Sequence, residues 1–175
     1  MIKTKRPANE SVTFRINSSV LERLAAESDS QKISLNALVN QILANYAEWD
    51  VTAAHAGWML IPRDELQSLI NKLEDDEIVN TAKNTAARTK DVRLLMTNKN
   101  DLDGFVFILR NRCIKSGFQY KEMRSTNVLK IIIQHDMGRK WSLFTKTLYD
   151  EIINDVGHRV SSEYTDNTLM LEIDI

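Results

Sequence analysis

The hydrophobic pattern alternates between a period of two and a period near 3.6, and each switch marks an element. Val12-Thr13-Phe14-Arg15-Ile16 alternates apolar and polar, as a half-buried strand does. Asn17-Ser18-Ser19 follows, a cluster of helix N-cap types. Val20, Leu21, Leu24 and Ala25 then recur at spacings of three and four, predicting a helix that ends in the polar stretch 28–32. Ser34 is a second N-cap candidate, and Leu35, Leu38, Val39, Ile42, Leu43 and Tyr46 form the stripe of a second helix.

Residues 50–57 are small and mixed and read as a linker, so the chain divides into 1–49, a linker over 50–62, and a body over 63–175. Trp58–Ile61 is a short apolar run of strand length. Pro62 suits the first turn of a helix, with Asp64 and Glu65 near its positive end and Leu66, Leu69, Ile70 and Leu73 on its apolar face. The acidic run 74–77 opens a further helix to about residue 90, and 91–96 reads either as its end or as a strand.

The last third holds two similar α-β-β patterns. Helix-like 102–116 leads through Gly117 to a strand, a turn at 125–127 and a second strand; helix-like 140–156 leads through Gly157 to a strand, a turn at 165–167 and another. The hairpins match at an offset of 40 and the helix faces better at 39, so a one-residue slip is expected between them. Duplication and coincidence both remain open as its origin. Either way Leu129, Ile131, Ile133, Leu169, Leu171 and Ile173 share one face of a four-stranded antiparallel sheet, covered by two helices. The second choice, with 91–96 as an added strand, approaches a ferredoxin-like sandwich. The expected class is α+β.

The 175 residues carry 43 % apolar and 27 % charged side chains, enough for a packed core and an ordinary surface. A single cysteine, Cys113, excludes an intrachain disulfide framework and leaves no CxxC motif. Its place on an apolar helix face favours a packed core thiol over a nucleophile. No stretch reaches the roughly 18 to 20 apolar residues of a membrane span, and the N-terminus lacks a signal-peptide core, so a cytoplasmic protein without membrane contact is expected.

The first strand has no partner strand within the first 50 residues, and a lone strand leaves its ladder groups unpaired. A symmetric dimer solves this by pairing the same strand from two chains, with Val12, Phe14 and Ile16 toward the helices and Ser11, Thr13 and Arg15 outward. Residues 11–47 resemble a ribbon–helix–helix DNA-binding domain of the Arc, MetJ and CopG type, on the alternating VTFRI strand, the first amphipathic helix, and Ser34-Leu35-Asn36 opening the second. The resemblance implies a homodimer, with tetramers open, on double-stranded DNA. Its ribbon would enter the major groove, where Ser11, Thr13 and Arg15 meet base edges. It also implies that Ser34, Leu35 and Asn36 clamp a phosphate at a helix N-terminus, with Lys3, Lys5 and Arg6 reaching the backbone from the arm. Two of the three outward ribbon residues are small hydroxyls, a departure from the common pattern that shifts sequence preference toward DNA shape.

The formal charge of −1 looks wrong for a DNA binder until it is located. Residues 1–16 hold Lys3, Lys5, Arg6 and Arg15 against Glu10, a net +3, and the rest carries −4. A dimer concentrates about six positive charges on one edge.

Nothing else demands a catalytic or metal site. His55, His135 and His158 are scattered, and there is no P-loop, GxGxxG or GxSxG motif. His135-Asp136 reads as a turn in which Asp136 caps the next helix and His135 is half-exposed; a strand-end site is the less favoured reading. The expectation is a non-enzymatic transcriptional regulator without a cofactor, whose body assembles it and senses a signal. An antitoxin-type autorepressor and a dimeric interaction module that binds no DNA are the alternatives.

Overall fold

The structure is a computed structural model and describes residues 10–175. Two compact units are present, Met1–Glu48 and Trp49–Ile175. The class is α+β, with a four-stranded antiparallel sheet in the second unit.

In the first unit α1 (Ser18–Ser30) starts where Asn17 Oδ1 accepts hydrogen bonds from the Ser19 amide at 3.0 Å and the Ser19 hydroxyl at 2.8 Å. It ends in a left-handed turn: Lys32 has φ of 55°, its amide donates to the Asp29 carbonyl, and the Ile33 amide donates to the Ser28 carbonyl. The turn leads directly into Ser34, whose Oγ accepts from the Ala37 amide at 3.1 Å and caps α2 (Leu35–Asn45). The predicted strand over 12–16 does not form: residues 10–17 have no regular secondary structure. The reason is the one that made the strand need a partner. A strand is held by its ladder, and nothing else among the described residues of this unit offers one.

Residues 50–62, read from sequence as the linker, hold the end of a π-helical turn (Tyr46–Asp50) and the short α3 (Val51–Ala53). Trp49 and Ala53 pack with Met96 and Ile108 in the body, and the Trp49 ring lies 5.5 Å from Trp58 and 6.5 Å from Phe107. Trp58–Ile61 forms no strand. Then come α4 (Arg63–Ile70) and α5 (Asp75–Thr97). Ile70 is buried, whereas Leu69, expected on the same face, is exposed.

α5 runs through 91–96, so the extra strand of the ferredoxin-like alternative is absent. Burial explains the extension. Val92 and Met96 face the Trp49 cluster, and Arg93, only 2 % exposed, is saturated by distant partners. Its guanidinium donates to Asn100 Oδ1 twice (2.8 and 3.1 Å), to Thr89 Oγ1 at 2.8 Å and to Asp155 Oδ2 at 2.8 Å. A buried guanidinium so paired fixes the end of α5 against the end of the last helix.

The body is built from α6 (Leu102–Lys115), β1 (Gln119–Arg124), β2 (Val128–Gln134), α7 (Arg139–Asp155), β3 (Val160–Tyr164) and β4 (Thr168–Asp174). The sheet order is β1-β2-β4-β3, all antiparallel. Leu129 pairs with Ile173, Ile131 with Leu171 and Ile133 with Leu169, and all six point into the core as the alternation predicts. These pairs are related by a local two-fold through Ile131 and Leu171. Besides α6 and α7, the helix layer includes α5, which contributes Ala82 and Ala86 to the same core.

The helix ends and hairpins of the two α-β-β units correspond at an offset of 40, without the expected slip. The Ser116 amide bonds the Arg112 carbonyl, Gly117 bonds Ile114 and Phe118 bonds Cys113; Val156 bonds Ile152, Gly157 bonds Asn154 and His158 bonds Ile153. Both turns need a glycine in left-handed backbone, Gly117 at φ 68° and Gly157 at φ 87°. The 39-residue match of the apolar stripes arises because α7 gives the sheet core two adjacent positions, Leu148 with Tyr149 and Ile152 with Ile153, where α6 gives one, Leu109 and Cys113, and turns Ile108 to the Trp49 cluster.

Candidate nucleic-acid interface

Of the described residues that the sequence assigns to DNA, Ser34 and Asn36 are exposed and Leu35 is half-buried. Ser11, Thr13 and Arg15 are exposed, but so are Val12 (67 %), Phe14 (61 %) and Ile16 (41 %). In the single chain the segment therefore has no inner and outer face, and the predicted division between base-facing and core-facing residues is not realised. Val20, Leu21, Ile42, Leu43 and Tyr46 are exposed too, and Leu38 is the one buried apolar residue among the described residues of this unit. A broad groove of about 620 Å³ runs between residues 10–14 and α2, walled by Val12, Phe14, Val39 and Leu43.

At the start of α2 the geometry suits an anion. The first amides of a helix have no intrahelical acceptor, and Ser34 Oγ satisfies the Ala37 amide, which leaves the Leu35 and Asn36 amides facing outward with the positive end of the helix dipole. The Asn36 carbonyl accepts from Asn40 Nδ2 at 2.8 Å. Lys32, exposed in the left-handed turn two residues before Ser34, adds a cation that the sequence pattern did not single out. Lys3, Lys5 and Arg6 lie outside the described residues.

The body's chemistry-bearing residues are arranged for packing. His135, expected half-exposed, is 2 % exposed. Its Nδ1 accepts the Met137 amide at 3.0 Å, so the ring proton sits on Nε2 and is donated to Ser142 Oγ at 2.9 Å. Ser142 Oγ in turn faces the Asp166 carbonyl at 3.3 Å. This polarity is the reverse of a nucleophile-activating dyad, in which the imidazole accepts the hydroxyl proton. Burial pushes the His135 pKa down to about 4, with Asp136 opposing and Arg63 assisting. Asp136, read as the cap of α7, instead takes a left-handed turn at φ 54°, and Gly138 stands at the N-cap. Cys113 is buried and its thiol is pushed up to about 11 by burial, which disfavours the thiolate.

Among the described residues there is no group of three or more potential metal ligands, and no helix is long and apolar enough to cross a membrane. None of the curated proteins compared matches the chain. The model of the HicB family matches residues 1–43, so the N-terminal unit is similar to that family over its arm, residues 10–17, α1 and most of α2.

Proposed function

We propose that the chain is a homodimeric, sequence-specific DNA-binding regulator of the cytoplasm, whose ribbon forms only when two N-terminal units associate. The observation that carries this reading is the set of eight large exposed apolar residues in a unit with one buried apolar side chain. Such a unit is far below the burial a stable small domain needs. A second copy supplies both the missing core and the missing ladder. Residues 12–16 of two chains pair antiparallel, Val12, Phe14 and Ile16 turn inward, and Ser11, Thr13 and Arg15 remain to face the major groove. Arg15 donates to guanine O6 and N7, and Thr13 reaches an edge or a thymine methyl, while Ser11 is too short for more than a marginal contact. Ser34, Leu35 and Asn36 hold a phosphate, and Lys3, Lys5 and Arg6 add charge from the arm. The body keeps the ribbons at a fixed spacing and supports tetramers on linked half-sites. No enzymatic role is proposed, a reading supported by the direction of the His135–Ser142 hydrogen bond.

The likeness to the HicB family favours a second reading, an antitoxin-type autorepressor, because HicB is an antitoxin with a ribbon–helix–helix-like fold. Under that reading the body also engages a toxin.

Arg15→Ala is expected to weaken binding to a selected operator by about 1–3 kcal/mol and to relax preference at one base position. The measurement is a titration against the selected site and its single-base variants. Unchanged affinity and preference in the variant would remove the ribbon from DNA recognition. A protein of twice 20.1 kDa in solution is the accompanying expectation.

A further inference from the structure

The body contains a cation that its ion pairs leave over. Seven ion pairs join described residues, and Arg112 is in none of them. Its guanidinium carbon lies over the Trp58 ring at 5.6 Å and over the Trp141 ring at 5.6 Å. Two indoles stabilise the cation and restrict its orientation, but they accept no conventional hydrogen bond from its five N–H donors. Arg112 also borders a cavity of about 250 Å³, whose apolar walls are Trp49, Ala53, Trp58, Met59 and Leu60. The other cation at this cavity, Lys115, is neutralised by Asp50 at 2.7 and 2.9 Å. The cavity therefore carries one uncompensated positive charge at an aromatic and aliphatic wall.

We infer that this cavity is a binding site for a small organic monocarboxylate with a single ring or a compact branched chain. The carboxylate meets the Arg112 fork, and the hydrocarbon part packs on Trp49, Trp58 and Met59. One free cation matches one negative charge. A phosphate dianion would bring an apolar-walled site more charge than a single guanidinium compensates. The volume is several times the share of one water molecule and lies just under the usual range for small-ligand sites, which limits the ligand to about one ring. Arg112 and Trp58 also line an adjoining apolar void of about 60 Å³, which gives the ring room to settle. The site lies within the second unit, so the inference stands whether or not the first unit binds DNA.

The test is calorimetric titration of the full chain with phenylacetate and with phenylacetamide, its neutral counterpart of the same shape. Phenylacetate is expected to bind at least about tenfold more tightly than the amide, because only the acid makes the charge-assisted pair. Arg112→Gln should reduce phenylacetate affinity to that of the amide, and Arg112→Lys should recover only part of it, since an ammonium cannot present the planar fork. The comparison of acid with amide on the unaltered protein needs no variant, so it stands even if a substitution disturbs folding. Inorganic phosphate at matched ionic strength should not compete. No binding of phenylacetate up to about 10 mM, equal affinity for acid and amide, or displacement by phosphate would each overturn the proposal.

Discussion

Leu171→Ala is expected to destabilise the body by about 3–5 kcal/mol, and Ile131→Ala by a similar amount. Both side chains are fully buried, face each other across β2 and β4, and lie on the local two-fold of the sheet. Each is enclosed by the same layer of helices, so truncation leaves a cavity that neither strand can close by moving, because each is paired on both edges. The neighbouring Ile132 points to the other face and is half-buried, paired with Lys121 and Met170. Ile132→Ala should therefore cost only about 1 kcal/mol. Urea unfolding of the three variants checks this, with the midpoint falling and the slope held. A cost below about 1.5 kcal/mol for either core variant, or costs differing by more than about 2 kcal/mol between them, would contradict the two-fold arrangement of the core.

His135 makes the stability of the same unit depend on pH. Its folded pKa lies near 4 because burial disfavours the imidazolium, while the unfolded ring titrates at its ordinary 6.5. Between these values the unfolded chain binds a proton that the folded chain refuses. The contribution is complete above about pH 6.5, falls as pH drops, and is exhausted near pH 4. Its size is about 3 kcal/mol. Protonation would also replace the acceptor at Nδ1 with a second N–H, opposing the Met137 amide. His135→Gln removes the titration, so the difference in unfolding free energy between the two proteins should shrink or reverse from pH 7 to pH 4. Parallel stability curves over that range would show that the imidazole is not held neutral.

Much of the body could be read from sequence because its signals are local. Alternation fixed the inward face of β2 and β4, and Gly117 and Gly157 marked both helix ends, since each turn requires left-handed backbone. What escaped reading depends on partners far along the chain. Arg93 is buried through Asp155, and that distant pairing is absent from the local pattern, which left 91–96 open between a helix end and a strand. His135 is buried through Ser142, and Arg112 meets Trp58 and Trp141, residues on opposite sides of it in sequence. The strand expected over 12–16 is absent for another reason. No strand among the described residues of this unit pairs with it, so the same alternation that suggests a buried face appears here as exposed Val12 and Phe14.

The position of β4 gives the two units different schedules during synthesis. β4 is the last of the four strands along the chain, yet it lies inside the sheet, between β2 and β3. Until residues 168–174 have left the ribosome, β2 lacks its long partner and β3 has no partner at all. The helices of the first unit need nothing later than Asn45. The exposed apolar residues of the first unit are therefore in place well before the sheet of the second can close.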